Sequence, residues 1–217
     1  MKQYIFIDLD GTITASEEGI TKSIQYALRH INIVVDDLNS LRIHIGPPLR
    51  EGFRKYWGIE EKDMDTVIEK YREYYKEKGI FQNEVYDGIE NLLQKLNEKG
   101  KTLIVATSKP EVYAKEILKY FQLDQYFADI CGSTLDGSIS DKWEVIRYAL
   151  EKHKIRNTDE VIMIGDRIHD VEGAKKNQME SIGVLYGYGS RKELEDADAN
   201  YIAETVEELE KILLTIG

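Results

Sequence analysis

Apolar residues follow two different spacings along this chain, and the change between them divides it into two parts. From residue 15 to about residue 80, apolar side chains recur every three or four positions, as they do in amphipathic helices. Outside that stretch, short apolar runs alternate with helical stripes. The runs predict strands at residues 4–7, 102–106, 129–131, 161–164, 182–186 and 200–203.

Strands that are apolar on both faces and alternate with helices are typical of a parallel sheet. We therefore predict an α/β fold with a Rossmann-like core built from residues 1–14 and 83–217. A small all-helical cap, residues 15–82, is inserted after the first strand. Sheets of this kind bind ligands outside the carboxyl ends of their strands, so a site is expected at that edge.

Composition narrows the classes of protein to which the chain can belong. Hydrophobic residues make up 42% of the 217 residues, which is enough for a packed core. The formal net charge of −11 disfavours a nucleic-acid polymer as partner. No apolar run reaches the ~20 residues that a membrane span needs. The single cysteine, Cys131, excludes an internal disulfide and is expected to be a buried structural thiol. We expect a soluble cytoplasmic protein. The sequence does not distinguish a monomer from a homodimer.

Polar residues collect where the predicted strands end. Asp8 and Asp10 follow the first strand, and this pair alone is equally compatible with a polar turn or a cation site. Further polar residues follow two later strands or begin a later helix: Thr107, Ser108, Lys142, Asp166 and Asp170. Carboxylates crowded at one edge repel one another unless a cation lies between them, and Mg²⁺ prefers such hard oxygen ligands.

The same residue types suit a phosphate group. Thr107 is a hydroxyl donor before a helix start, where free amides and the helix dipole attract anions, and Lys142 adds a positive charge. A carboxylate there can attack phosphorus, and a neighbouring one can protonate the leaving oxygen. Phosphoryl transfer mostly requires positioning and charge neutralisation, both of which this set supplies.

Four motifs in order resemble the haloacid dehalogenase superfamily of aspartate-nucleophile phosphatases, and the resemblance covers essentially the whole chain. The motifs are Asp8-Leu-Asp10-Gly-Thr12, Thr107-Ser-Lys-Pro110, Ser140-Asp-Lys142 and Gly165-Asp166-x-x-x-Asp170. The nearest subgroup contains phosphoglycolate phosphatase-like and 5′-nucleotidase-like members. The cap segment Gly46-Pro-Pro-Leu-Arg50 is similar to the latter.

The resemblance implies a Mg²⁺-dependent phosphomonoester hydrolase that forms an aspartyl-phosphate. Its substrate would be a small phosphorylated metabolite, either a 5′-nucleotide or a phosphoglycolate-like compound. Asp8 would be the nucleophile and a metal ligand. Asp10 would be the general acid/base, with its backbone carbonyl also on the metal.

The remaining motif residues receive supporting roles from the same resemblance. Thr107 and the Ser108 amide would bind the phosphoryl group, and Lys142 would balance its charge and orient Asp8. Asp166 would be the third protein ligand of the metal, and Asp170 would bind it directly or through water.

Several alternatives stay open at this point. Arg50 is equally compatible with an ordinary helix-surface charge and with a cap residue that reaches the substrate. Lys109 competes with Lys142 for the role of essential lysine, and we favour Lys142 because it matches the third motif. A phosphosugar mutase shares the same apparatus. A phospho-acceptor signalling module and a catalytically dead binding protein are weaker alternatives, because the chain has a helical insertion and every expected catalytic side chain.

Overall fold

Six parallel strands form the central sheet of this protein, whose computed structural model describes residues 2–216. Residues 2–216 form eight strands in all: β1 (Tyr4–Ile7), β2 (Thr14–Ala15), β3 (Glu84–Val85), β4 (Thr102–Pro110), β5 (Asp129–Ser133), β6 (Val161–Gly165), β7 (Glu180–Val184) and β8 (Tyr201–Ala203). The sheet has the order β5-β4-β1-β6-β7-β8, and every neighbouring pair is parallel. Strands β2 and β3 form a separate two-stranded sheet. The predicted α/β fold is confirmed.

Nine α-helices accompany the strands within the described residues. They are α1 (Glu17–Arg29), α2 (Leu49–Trp57), α3 (Glu61–Glu77), α4 (Ile89–Glu98), α5 (Glu111–Tyr120), α6 (Lys142–Lys152), α7 (Ile168–Lys176), α8 (Arg191–Asp196) and α9 (Val206–Ile216). No helix among residues 2–216 is both long enough and apolar enough to cross a bilayer.

Strand β1 lies where the strand order of the sheet changes direction. The chain goes from β1 to β4 on one side, and later to β6 on the other side. Such a reversal leaves a crevice outside the carboxyl ends of the strands, which is where open parallel sheets bind their ligands. The residues that follow β1 therefore stand at the natural binding position of this fold.

Apolar side chains on both faces of the sheet explain why these strands are central. One cluster joins Phe6, Ile104 and Met163 of the sheet to Val145 and Ala174 of α6 and α7, all fully buried. Burying a large apolar side chain contributes roughly 1.5–3 kcal/mol each. This packing fixes α6 and α7 against the strands whose ends carry the polar residues.

The chain divides into two compact units. One contains the residues up to Thr14 and from Val85 onward, and the other is Ala15–Glu84. In the second unit, α1 packs against α3. Helix α2 is followed by Gly58, whose φ of 63° is the left-handed conformation common just after helix ends.

The structure differs from the sequence prediction in several elements. Strands β2 and β3 were not predicted, and β5 ends at Ser133 instead of at residue 131. Helices α7 and α8 were not predicted, because each is short and has few apolar positions. Strand β4 continues to Pro110 instead of ending at residue 106. Strand β7 begins at Glu180, two residues earlier than predicted, and ends at Val184.

Candidate active site

Three adjacent strands bring together the polar residues that are far apart in sequence. Asp8 directly follows β1, Thr107 lies near the end of the neighbouring strand β4, and Asp166 directly follows β6 on the other side. All three side chains are buried. Parallel strands place their carboxyl ends at one edge of the sheet. Residues that are far apart in the sequence therefore lie close together at this edge.

Lys142 links two of these carboxylates from the first position of α6. Its Nζ lies 2.7 Å from Asp8 Oδ1 and 2.8 Å from Asp170 Oδ1, and it donates a hydrogen bond of 3.1 Å to the Ala106 carbonyl. Burial disfavours the ammonium, but the Asp170 and Asp8 carboxylates outweigh that effect and raise the pKa of Lys142 to about 12. The lysine is therefore charged at neutral pH.

Asp8 sits among donors that orient its carboxylate. Its Oδ1 accepts a hydrogen bond of 2.8 Å from the Leu9 amide in addition to the Lys142 contact, and the neighbouring Thr107 side chain also acts to lower the pKa of Asp8. Burial nonetheless raises the pKa of Asp8 from 3.8 to about 6, although Lys142 lowers it and Asp170 raises it. The cost of ionising this buried carboxyl group is thus larger than the stabilisation that its hydrogen-bond donors give to the charged form.

Asp10 has a partner that the sequence did not assign to it. Lys109 Nζ lies 2.5 Å from Asp10 Oδ2, and the two side chains are only 5% and 11% exposed. The other oxygen, Asp10 Oδ1, is buried and has no hydrogen-bond partner among residues 2–216. The two aspartates of the first motif therefore contact different lysines.

Asp166 is held by backbone groups of two turns. The Tyr188 amide donates a hydrogen bond of 2.7 Å to Asp166 Oδ2. Gly11, with a φ of +85°, passes so close that a Cβ there would lie 2.3 Å from the same oxygen. Asp166 Oδ1 is buried and finds no hydrogen-bond partner in the described part of the chain.

Asp170 lies in the first turn of α7 and has both oxygens engaged. Its Oδ2 accepts a hydrogen bond of 3.0 Å from the Arg167 amide at the helix start, and its Oδ1 faces Lys142. A carboxylate at this helix position satisfies an amide that the helix itself leaves without a partner. Asp170 therefore orients the Lys142 ammonium and also adds a negative charge to the site.

The donor set fits a hard divalent cation. Oxygen atoms of Asp8, Asp166 and Asp170 lie within 4.8 Å of one another. The like charges of Asp170 and Asp8 add to burial in raising the pKa of Asp166 well above its usual range. With Asp10 included, four buried carboxylates face two lysines, so the ionised site has two excess negative charges. A buried, unpartnered carboxylate oxygen at Asp166 and this charge excess suit Mg²⁺.

Two further predicted residues have different surroundings. Ser108 has a buried hydroxyl without a hydrogen-bond partner among residues 2–216. In the helical unit, the Arg50 guanidinium bonds to the carboxylates of Glu61 and Asp65 and is 41% exposed. This ion pairing is the surface role that the sequence allowed for Arg50, and its contact with a substrate stays a prediction.

The segment after β7 contributes to the site without having been predicted. Besides the Tyr188 amide on Asp166, the Tyr186 hydroxyl donates to the Thr12 carbonyl at 3.2 Å. Two glycines flank Tyr188, and the Gly-Tyr-Gly sequence after a strand was the available signal of a close backbone approach.

A second cluster, at the start of β5, is already neutralised. Asp129 Oδ2 lies 2.7 Å from Lys152 Nζ and 2.9 Å from His153 Nε2, and the buried Cys131 is nearby. Burial raises the pKa of the Cys131 thiol to about 12. The Lys152 ammonium supplies the positive charge here, and the expected role of Cys131 as a buried, inert thiol agrees with these surroundings.

Comparison with protein families gives a match over most of the chain. The model described as haloacid dehalogenase-like hydrolase matches residues 4–184, a stretch that includes all four motifs.

Individual proteins are similar over almost the full length. A protein of Pseudomonas aeruginosa named 5′-nucleotidase is 42% identical over 96% of this chain and 94% of its own. A protein of Mycobacterium tuberculosis named tyrosine-protein kinase PtkA is 37% identical over 97% of this chain and 72% of its own. The crystal structure of a predicted phosphatase from Clostridium acetobutylicum has 52% identity and a TM-score of 0.97, covering 99% of both chains.

Proposed function

The chain belongs to the haloacid dehalogenase-like hydrolase family and is a phosphatase, and from this premise we propose that it hydrolyses nucleoside 5′-monophosphates with Mg²⁺. One observation carries the mechanism. The two carboxylates of the first motif contact different lysines, with Asp8 beside Lys142 and Asp10 beside Lys109. Two neighbouring carboxyl groups with different partners are suited to different chemical roles.

Asp8 is the nucleophile in this proposal. One of its carboxylate oxygens forms a bond to phosphorus, and the bond between phosphorus and the substrate's ester oxygen breaks. The Leu9 amide and Lys142 hold the Asp8 carboxylate in a single orientation for that attack. The Lys142 ammonium also faces the negative charge that moves onto the phosphoryl oxygens.

Asp10 is the general acid in the first half-reaction and the general base in the second. Its protonated form gives the proton to the departing ester oxygen, which leaves as an alcohol. The resulting carboxylate then takes a proton from water as the water oxygen attacks phosphorus. Inorganic phosphate leaves, Asp8 is regenerated and Asp10 is protonated again.

The phosphoryl group is bound by the end of β4. Thr107 offers a hydroxyl there, and Ser108 offers a buried hydroxyl as well as its amide. Asp8, Asp166 and the Asp10 carbonyl would hold Mg²⁺, with Asp170 binding directly or through water. The bound ion supplies charge neutralisation at the phosphate.

The nucleotide class is supported by likeness and by the cap sequence. The Pseudomonas aeruginosa relative is named 5′-nucleotidase, and Gly46-Pro-Pro-Leu-Arg50 resembles that subgroup. A phosphoglycolate-like acid is the runner-up within the same reaction. A phosphosugar mutase would use the same aspartates but return the phosphoryl group to a sugar.

Phosphate release from a panel of phosphomonoesters tests the proposal. We expect nucleoside 5′-monophosphates to be hydrolysed with a higher kcat/KM than 2-phosphoglycolate or hexose phosphates, and EDTA to remove the activity. Preference for phosphoglycolate would overturn the substrate class. Formation of a sugar phosphate isomer without phosphate release would indicate the mutase.

One relative is named a kinase, so ATP belongs in the same panel. Labelled ATP should yield free phosphate or no reaction, and no labelled tyrosine on protein. Stable tyrosine labelling would contradict hydrolysis as the main activity.

Magnesium is expected to raise the Tm of the protein, and to raise it more at about pH 8 than at about pH 5. Folding raises the pKa of Asp8 from 3.8 to about 6, and burial with the nearby Asp170 and Asp8 carboxylates raises the pKa of Asp166 well above its usual range. Below these values the folded metal-free site keeps extra protons. The contribution of the Asp8 proton to stability is therefore lost as the pH rises through about 6, where Asp8 must ionise.

Binding of Mg²⁺ to the ionised site restores that stability by mass action. Calorimetry with EDTA or MgCl₂ at both pH values measures the effect. The Asp166→Asn variant is the control and should lose most of the response to Mg²⁺. An equal Tm shift at both pH values would contradict the assignment of these carboxyl groups to the metal.

A further inference from the structure

Lys109 is a buried cation for which the reaction described above has no role. Its side chain is 5% exposed and its ammonium lies 2.5 Å from Asp10 Oδ2. Lys142, not Lys109, contacts Asp8 and Asp170. Burying a charged pair removes both ions from water, and this cost can exceed their mutual attraction, so the pair is weak evidence for a role in stability alone.

A local irregularity of the sheet aims Lys109 at Asp10. Along β4 and β5, Thr107 pairs with Gly132 and Pro110 pairs with Ser133, so two residues of β4 are extra at this point. The Lys109 amide donates to Thr107 Oγ1 at 3.2 Å within this bulge. Gly132 accommodates it, because a Cβ there would lie 2.6 Å from the Lys109 carbonyl oxygen. Bulges next to active sites commonly redirect a side chain.

The contact fixes one oxygen of Asp10 and leaves the other available. Oδ2 is bonded to Lys109, whereas Oδ1 is buried and has no partner in the described residues. A carboxyl held at one oxygen can adopt fewer orientations, so its other oxygen is restricted to a narrower range of directions toward a reacting group. A misplacement of about 1 Å in such a group can cost on the order of 100-fold in rate.

We propose that Lys109 is a positioning residue for Asp10, holding its carboxyl so that Oδ1 meets the ester oxygen of the substrate. The inference rests on the proposed function, in which Asp10 protonates the leaving group. Lys109 acts through Asp10 and does not bind the phosphoryl group. Thr107 and Lys109, two residues apart in one bulge, thus serve phosphate binding and proton transfer separately.

This role predicts a dependence on the leaving group. A nucleoside leaves as a strongly basic alkoxide and needs a proton, whereas 4-nitrophenolate is weakly basic and leaves without one. A residue that positions the general acid therefore matters for the first substrate and little for the second. A residue that binds phosphate or supports the fold affects both substrates equally.

We expect Lys109→Met to lower kcat/KM for a nucleoside 5′-monophosphate by about 100-fold, and that for 4-nitrophenyl phosphate by less than about 10-fold. The constant kcat/KM reports steps up to release of the alcohol or phenol, so hydrolysis of the phosphoenzyme does not obscure it. Lys115→Met is the matched control, since Lys115 is 51% exposed and pairs with Glu111 on α5. It should leave both substrates unaffected.

A second test compares Asp10→Asn with the double variant Asp10→Asn/Lys109→Met. Asp10→Asn should show the same leaving-group dependence, and adding Lys109→Met to it should change neither kcat/KM further. This double variant removes both charges of the pair, so it remains informative if Lys109→Met alone does not fold.

Equal losses on both substrates with Lys109→Met, or a further loss in the Asp10→Asn background, would overturn the positioning role. Unchanged activity of Lys109→Met would overturn it as well. These outcomes differ from failure of the proposed function, in which the unmodified protein hydrolyses neither substrate or Asp10→Asn shows no leaving-group dependence.

Discussion

Replacing Asp8 with asparagine is expected to lower kcat/KM for every phosphomonoester by about 10⁴-fold or more, because removing a nucleophile costs that much in enzymes with covalent intermediates. The asparagine amide has nearly the shape of the carboxylate but is a very poor nucleophile. Its carbonyl oxygen can still accept the hydrogen bond that the Leu9 amide donates to Asp8 Oδ1. The lost activity is therefore chemical in origin.

The same substitution should leave the fold intact, and this separates it from a general loss of structure. Burial raises the pKa of Asp8 to about 6, so the charged side chain is costly where it stands. An uncharged residue removes that cost, while Lys142 keeps its contact with Asp170 at 2.8 Å. The Tm in EDTA should be unchanged or higher near neutral pH.

Initial rates on 4-nitrophenyl phosphate and circular dichroism together measure these two effects. Asp198→Asn is the matched control: Asp198 is exposed, pairs with Lys175, and has a φ of 58° that asparagine also tolerates. It should retain full activity. More than about 1% residual activity in Asp8→Asn, after contaminating phosphatases are excluded, would assign the nucleophile to another residue.

The meeting of Asp8, Thr107 and Asp166 could be predicted because it follows from periodicity alone. Short apolar runs separated by helices require parallel strands, and parallel strands end at a common edge. A polar residue that directly follows such a run is therefore located without any knowledge of side-chain contacts. These three positions needed only approximate strand ends: β4 continues to Pro110, beyond its predicted end at residue 106, and Thr107 still lies at the same edge of the sheet.

The partners of the two lysines do not follow from periodicity, and the resemblance implied a partner only for Lys142, namely Asp8. Lys109 lies two residues after Thr107, whereas Lys142 is distant from Thr107 in the sequence. In the structure, Lys142 contacts Asp8 and Lys109 contacts Asp10. Those partners depend on a bulge between Thr107 and Pro110 and on the position at which α6 begins. Neither feature changes the hydrophobic pattern, and so neither is visible in it.

Helix α7 was not predicted because it too is only weakly visible in the hydrophobic pattern. It has nine residues, and its polar positions Asp170, Lys175 and Lys176 leave a weak apolar stripe. Packing of Val171 and Ala174 against the core stabilises it instead. This helix matters for the site. Asp170 lies in its first turn, where the Arg167 amide orients the carboxylate, and the other carboxylate oxygen contacts Lys142.

Replacing Lys142 with methionine is expected to reduce both activity and stability. The positive charge beside Asp8 and the phosphoryl group disappears, which should lower kcat/KM by about 10³-fold, as removal of a charge-stabilising donor does in other active sites. Asp8 and Asp170 also lose the ammonium that lies between them, at 2.7 and 2.8 Å. Removing one partner from a buried ion pair typically costs about 3–5 kcal/mol.

Mg²⁺ should restore stability in this variant but not activity, because it supplies charge to the carboxylates without replacing Lys142 at Asp8. Unfolding in denaturant with EDTA or MgCl₂, together with initial rates, separates the two effects. Lys152→Met is the matched control: Lys152 ends the same helix and pairs with Asp129, but it is 37% exposed, so its loss should cost little. If Lys142→Met kept more than about a tenth of the activity, the charge that serves phosphoryl transfer would come from another cation. Lys109 is the next candidate, because its ammonium is also buried beside a carboxylate of the first motif.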